Sequence, residues 1–320
     1  MTDAIRAEGL VKRFGETTAL AGVSLAAAHG TVLGVLGPNG AGKTTAVRIL
    51  ATLLRPDAGH ATICGVDVVR DPARVRRLIG LTGQYASVDE DLTAVENLVL
   101  IGQLLNLRRS EARARAKELL EWFGLTEVAG RPIRTYSGGM RRRLDLAASL
   151  VGRPEVVYLD EPTTGLDPAK REDLWGVVRA LVAEGTTVLL TTQYLEEADA
   201  LADEISIINR GRVIAHGTPA ELKRVVGGQT IVVRPTDPDR IADTAAILRA
   251  VTGFEPESSR RGVLTVPADS DRVFTTVVRR LDEAGISVIE LSLRLPSLDE
   301  VFFALTGHGA TNPDDQERAA

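Results

Sequence analysis

Short apolar runs alternate with turn residues over residues 4–25, a pattern that predicts antiparallel strands. The continuous run Val32-Leu33-Gly34-Val35-Leu36 predicts a strand buried on both faces. Further strands are expected at 61–66 and 79–81. Between residues 93 and 150 the spacing becomes helical. Val95, Leu98, Val99, Ile101, Leu104 and Leu105 mark one helix. Leu119, Leu120, Trp122 and Phe123 form the stripe of a second over 111–123, ended by Gly124, and a third is expected over 138–151. Strands return at 156–159, 187–190 and 205–208, separated by helices at 168–183 and 195–203. This alternation argues for an α/β fold: a parallel-sheet core, antiparallel β ahead of it, and a helical subdomain at about 86–151.

The pattern changes after Gly227-Gly228. Residues 230–233, 241–250, 263–266, 272–284 and 288–293 read as β, α, β, α, β, with a closing helix at 298–305. The expected organisation is a first domain over 1–227, a small α+β domain over 228–306, and a polar tail over 307–320 that is expected to be disordered. Phe302 and Phe303 would be costly to expose, so the closing helix is expected to cover the small domain's sheet.

With 320 residues, 44% of them hydrophobic, the chain can bury a large core and form two domains. Its net charge of −5 offers no global basic field for nucleic acid. Arg108, Arg109, Arg113, Arg115 and Lys117 are interleaved with Glu111 and Glu118, as on a solvated helix face. The one cysteine, Cys64, fits a reducing compartment and a small apolar packing role. His29, His60, His216 and His308 show no metal-ligand spacing. No apolar run approaches the ~20 residues that cross a bilayer, and the N-terminus lacks a signal-peptide core. The expectation is a soluble polypeptide on the cytoplasmic side, reaching a membrane only through a partner.

The candidate chemistry begins where the buried strand ends. Gly37-Pro38-Asn39-Gly40-Ala41-Gly42-Lys43-Thr44 matches Gly-x4-Gly-Lys-Thr, and Thr45 and the following residues read as a helix. Glycines let backbone N–H groups turn inward at a helix N-terminus, where the dipole also favours anions. Lys43 is expected to reach the β and γ phosphates of ATP or GTP, and the Thr44 hydroxyl to ligate Mg2+. A second apolar run, Val156-Val157-Tyr158-Leu159, ends in Asp160-Glu161. Asp160 is expected to hold Mg2+ through water. Glu161 has no cation beside it in sequence and is expected to act as the general base that orients attacking water.

A second glycine-rich element, Ser137-Gly138-Gly139-Met140, lies far from the first. Serine and two glycines at a helix N-terminus also offer N–H donors to an anion, whereas consecutive glycines would weaken an ordinary helix start. The run from Tyr136 to Leu144 resembles the signature motif of ATP-binding-cassette (ABC) ATPases, usually written Leu-Ser-Gly-Gly-Gln, with Met140 in place of Gln. The resemblance covers about 4–223 and implies a P-loop (RecA-like) ABC nucleotide-binding domain. It further implies that Ser137, Gly138, Gly139 and Met140 contact the nucleotide held by an opposed subunit, in a head-to-tail homodimer.

The same resemblance makes Phe14 the aromatic that stacks on adenine. It makes Gln84 the glutamine that reaches Mg2+, and Asp167 the aspartate of the loop that crosses the dimer interface. Where the family normally has histidine, this chain has Gln193, which can donate to a phosphate but cannot titrate. Residues 84–93, 191–199 and 296–303 look like the daunorubicin-resistance (DrrA-type) subfamily, of which Gln193 is itself typical. The function this implies is ATP hydrolysis coupled to a separate integral-membrane permease that exports a hydrophobic drug or natural product, at the cytoplasmic face of the cell membrane. A soluble cassette acting on ribosomes or DNA fits less well, given one cassette, no long heptad run and net negative charge. A small-molecule kinase has no use for Ser137-Gly138-Gly139.

Overall fold

The computed structural model describes residues 3–83, 88–164, 166–226, 229–258, 262–268, 271–294 and 297–306. Gln84, Gly165, the Gly227-Gly228 pair, Pro296 and the tail from residue 307 therefore lie outside the described residues.

β1 (Asp3–Phe14) and β2 (Thr17–Ala28) pair antiparallel. β3 (Val32–Leu36) is buried at every position and runs into the loop ahead of α1 (Lys43–Leu50). The strand expected at 61–66 is two pieces, β4 (Ala58–Ile63) and β5 (Val66–Asp67). Between them Cys64 and Gly65 both take positive φ and reverse the chain, so the pieces pair with each other. Hydropathy alone hid this turn because Cys64 is as apolar as its neighbours. α2 (Pro72–Leu78) also escaped the periodicity reading. It is short, and its signal is a cap: the Asp71 carboxylate accepts from the Arg74 N–H, with Pro72 at the first helical position.

β6 (Ile79–Thr82) leads toward the helical region. There α3 (Ala94–Leu104) is capped reciprocally by Thr93 and Glu96, and α4 (Arg109–Trp122) and α5 (Gly138–Ser149) follow. Leu98, Leu119, Leu120, Phe123 and Leu144 bury their side chains in one apolar cluster with Leu159 of the core sheet and Trp175 of the helix over residues 168–183. β7 (Val156–Asp160), α6 (Pro168–Ala183), β8 (Thr187–Thr192), α7 (Leu195–Leu201), β9 (Glu204–Asn209) and β10 (Arg212–Gly217) complete the core.

Among the described residues the core sheet runs β10-β9-β3-β8-β7-β6, parallel except for β10, and a second sheet runs β2-β1-β4-β5. Register decides what meets at the carboxyl edge. Leu36 stands beside Thr192, and Asp160 beside Thr191. The ends of β3, β7 and β8 are thus side by side, where open α/β sheets bind ligands.

The chain divides into compact units Met1–Pro219 and Ala220–Ala320, ahead of the composition change at 227–228. α8 (Pro219–Val226) starts at the last residue of the first unit and leads into the second. Next come β11 (Gln229–Pro235), α9 (Ile241–Thr252), β12 (Glu257–Ser258), β13 (Leu264–Ala268), α10 (Asp271–Glu283), β14 (Val288–Arg294) and α11 (Leu298–Thr306). The antiparallel order β12-β13-β11-β14 is that of a split βαβ, ferredoxin-like sheet. The two-residue β12 was too short for a pattern reading. Ile231, Val233, Leu248, Val266, Val277 and Leu281 form this sheet's core with its helices. On α11, Leu298 and Val301 are buried, yet neither belongs to that cluster.

Candidate functional site

The loop from Gly37 to Gly42 depends on glycine at two close approaches. A Cβ at Gly37 would stand 2.3 Å from the Ile208 carbonyl oxygen. At Gly42, whose φ is 111°, it would stand 2.6 Å from that of Ala19. Either contact would push the loop off the sheet, and the second also demands a left-handed backbone. Pro38, Asn39, Gly40, Ala41, Gly42, Lys43, Thr44 and Thr45 line a cleft of about 290 Å3 together with Ala19 and Glu161.

Inside it, the Lys43 ammonium donates to the Gly37 and Pro38 carbonyls at 2.8 and 3.3 Å. It also lies 3.3 Å from a Glu161 carboxylate oxygen, with the two side chains 4% and 10% exposed. Glu161 therefore does have a cation beside it, which corrects the expectation drawn from its sequence neighbours. The partner is 118 positions away along the chain, at the start of α1, which follows the loop after β3.

Glu161 is held in an unusual backbone state. Its φ is +50°, a left-handed conformation that costs a non-glycine residue about 1 kcal/mol. Its N–H is satisfied by the Thr191 carbonyl at 3.0 Å and the Thr191 hydroxyl at 3.1 Å. That hydroxyl donates in turn to Asp160 at 2.5 Å, and the Thr44 hydroxyl donates to the same carboxylate oxygen at 3.3 Å. Asp160 is 4% exposed, so one buried carboxylate faces the phosphate loop while the next residue turns its own carboxylate to Lys43. Thr191 ties the two together, and sequence reading missed it. The available signal was a Thr-Thr pair ending an otherwise apolar strand.

The second glycine-rich element builds a different cleft. The Ser137 hydroxyl accepts from the Met140 N–H at 3.3 Å and caps α5. Ser137 and Gly139 line a cavity of about 120 Å3 with Arg142, Arg143, Leu166 and Lys170 of the following segments. Gly138 continues the helix start with open space around it. Asp167 caps α6 through the Lys170 N–H and pairs with the Lys170 ammonium, which holds its carboxyl below the usual range. This cleft and the first share no lining residue.

Arg142 joins the two elements and was not singled out by sequence. Its guanidinium donates to the carbonyls of Pro162, Gly83 and Glu161 at 2.8, 3.0 and 3.4 Å. Burial lowers its pKa, opposed by Asp145, Glu197 and Asp160. One side chain of α5 thus fixes the backbone at Glu161 and at the residue preceding Gln84. Thr163 donates to the buried Glu197 of α7 at 3.1 Å, which anchors the start of the Asp167 loop.

Phe14 is 49% exposed, with the Lys12 ammonium 5.7 Å from its ring centre, so it is not a core aromatic. Gln193 is exposed just beyond β8. Neither lines the phosphate-loop cleft.

Residues 20–164 match the ABC transporter family, and residues 217–306 match the DrrA1-3-like ATP-binding protein C-terminal domain. Over 318 residues the chain is 54% identical to the daunorubicin resistance ATP-binding protein DrrA2 of Streptomyces coeruleorubidus, covering 99% of each. The chain belongs to the DrrA-like ATP-binding proteins of the ABC transporter family. It is 50% identical over 319 residues to the daunorubicin/doxorubicin resistance ATP-binding protein DrrA of Streptomyces peucetius, covering 99% of this chain and 97% of that one. A solved ATP-binding cassette in its ADP conformation matches with a TM-score of 0.63 at 28% identity, over 69% of this chain and 93% of that one. Another, a dimeric cassette in a post-hydrolysis state bound to ADP and Pi, matches at 0.62 with 26% identity, over 67% and 98%. The cassette is therefore an ATPase subunit with the P-loop fold. No helix among its described residues is long and apolar enough to cross a membrane.

Proposed function

We infer that two copies of this cassette close head to tail on two Mg-ATP molecules, and that closure drives a separate membrane permease that expels a hydrophobic drug-like compound. The observation that carries this reading is the pair of separate clefts: one has Lys43, Thr44, Asp160 and Glu161 around a phosphate loop, and the other a Ser-Gly-Gly helix start beside Arg142, Arg143 and Lys170, with Asp173 as its acid. A single chain thus offers two unlike half-sites. A second copy supplies each half with its complement.

In this reading the 37–44 loop and Lys43 grip the phosphates. The Thr44 hydroxyl and the Asp160 carboxylate, an all-oxygen pair, suit Mg2+, with Gln84 as a further oxygen donor. The ion would neutralise phosphate charge. Glu161 orients the attacking water and takes its proton, Gln193 positions the γ-phosphate through its amide, and Asp167 crosses to the opposed copy. Ser137, Gly138, Gly139 and Met140 cap the partner's γ-phosphate with helix N–H groups.

Phe14 stacks on adenine. Phe14→Ala should weaken ATP binding about tenfold, in keeping with ~1–3 kcal/mol per stacked base, and should reduce discrimination among nucleotide bases. Titration with ATP and with a base-altered analogue measures both.

The permease reading draws on the outer face of α3, where Leu100 and Leu104 are 45% and 74% exposed one turn apart. Such apolar exposure suits contact with another protein, which would place the cassette at the cytoplasmic face of the membrane. The drug class follows the relatives, whose names specify resistance to daunorubicin and doxorubicin. Co-expression with the membrane partner in a drug-sensitive host tests it. Lower daunorubicin accumulation that disappears with Lys43→Ala is expected, and unchanged accumulation would overturn the drug assignment.

A further inference from the structure

His29, Cys64 and Glu155 lie 35 and 91 positions apart in sequence, yet one imidazole nitrogen, the thiol sulfur and one carboxylate oxygen all fall within 4.8 Å of one another. None of these residues belongs to the nucleotide site. Glu155 immediately precedes β7 and His29 lies in the turn before β3. The cluster therefore sits at the amino edge of the core sheet, and the phosphate loop and Asp160 sit at the carboxyl edge. We propose that His29, Cys64 and Glu155 form a binding site for a thiophilic divalent cation of the zinc class, which clamps the antiparallel sheet to the base of the strands that carry the ATPase machinery.

Nitrogen, sulfur and oxygen in a three-residue set with an open fourth position match what zinc accepts, whereas Mg2+ and Ca2+ take oxygen alone. Ligands about 2.0–2.3 Å from a tetrahedral ion stand roughly 3.5 Å from one another. The exposed His29 and Glu155 side chains need only small rotations to close the set around Cys64.

The backbone beneath is already tied together. The Cys64 N–H donates to the Ala4 carbonyl at 2.8 Å, on the strand whose Asp3 pairs with Ala28, the residue before His29. The Gly30 N–H donates to the Thr187 hydroxyl at 2.9 Å, while the Thr187 N–H donates to the Glu155 carbonyl at 2.9 Å. Every ligand is one residue or less from a hydrogen bond that fixes its loop.

A second observation points to the same place. The Tyr158 hydroxyl is completely buried, has no hydrogen-bond partner among the described residues, and belongs to the apolar cluster against which Cys64 packs. A buried phenol beside a sulfur ligand is suited to donate to the thiolate that a cation creates, as outer-shell groups at metal sites do. Cys64 has no second cysteine in the chain with which to form an internal disulfide. Binding would release the thiol proton to solvent and form the sulfur–metal bond, with no oxidation.

Cobalt(II) provides the test, because Cys64 is the sole cysteine and a thiolate-to-cobalt charge-transfer band can arise only there. Untagged full-length protein is titrated with Co2+ in the presence of excess Mg-ATP, which occupies the oxygen-only site. One equivalent should bind with a charge-transfer band and tetrahedral visible bands, displaced by Zn2+, and Zn2+ should raise Tm. Cys64→Ser should abolish the band and the Tm shift, and His29→Asn and Glu155→Gln should each weaken affinity at least tenfold. Absence of a stoichiometric band would overturn the proposal. So would undiminished affinity in both exposed-ligand variants, which are too superficial to disturb folding.

Discussion

Glu161→Gln is expected to lower ATP turnover by roughly 10²–10⁴-fold while nucleotide binding holds or tightens. The two outcomes have one cause. In the proposed mechanism the carboxylate accepts the proton of the attacking water, and its oxygen lies 3.3 Å from the Lys43 ammonium that would also engage an incoming phosphate. Glutamine preserves size and one acceptor oxygen but removes the charge that competes with phosphate for Lys43. Turnover by the purified protein with its membrane partner, beside ATP titration of the same sample, measures both. Appreciable turnover in the variant would remove Glu161 from the role of base. Gln193→Ala, by contrast, should lower turnover only modestly and leave its pH profile unchanged, since glutamine has no proton to exchange.

The second large effect is expected at Ser137. Ser137→Arg should leave ATP binding intact and reduce turnover by at least about 10²-fold, the scale of losing aligned anion donors in a transition state. The side chain caps α5 and lines a 120 Å3 cavity that an arginine would fill. Loss of the cap alone costs about 1 kcal/mol and should not unfold the chain. The phosphate-loop cleft shares no residue with this one, so binding within a copy should persist while closure against the other is blocked. Ser137→Thr retains a capping hydroxyl and should retain most turnover. Lost ATP binding in Ser137→Arg would falsify the split-site arrangement.

Much of the core was legible because its signals are local. The buried runs at Val32–Leu36 and Val156–Asp160, each followed at once by polar loop residues, announce strands that deliver chemistry at their ends. Long helices such as Pro168–Ala183 carry enough periods to be read from spacing. Short or turn-bound elements were not legible: α2 has seven residues, β12 has two, and the Cys64-Gly65 reversal hides inside an apolar run. Local patterns need several repeats to stand out, and these elements have fewer than two.

By itself the sequence determined the phosphate loop, the Asp160-Glu161 strand end and the Ser-Gly-Gly helix start, because each is a contiguous arrangement whose chemistry follows from residue type and order. Only the tertiary structure decided which groups meet. Strand register sets Thr191 beside Asp160, the left-handed turn at Glu161 brings its carboxylate to Lys43, and Arg142 reaches three carbonyls from two other segments. It also gathered His29, Cys64 and Glu155, which no spacing rule would join. Contacts between distant residues depend on how sheets and loops pack, and that information is spread over the whole chain rather than written in any one stretch of it.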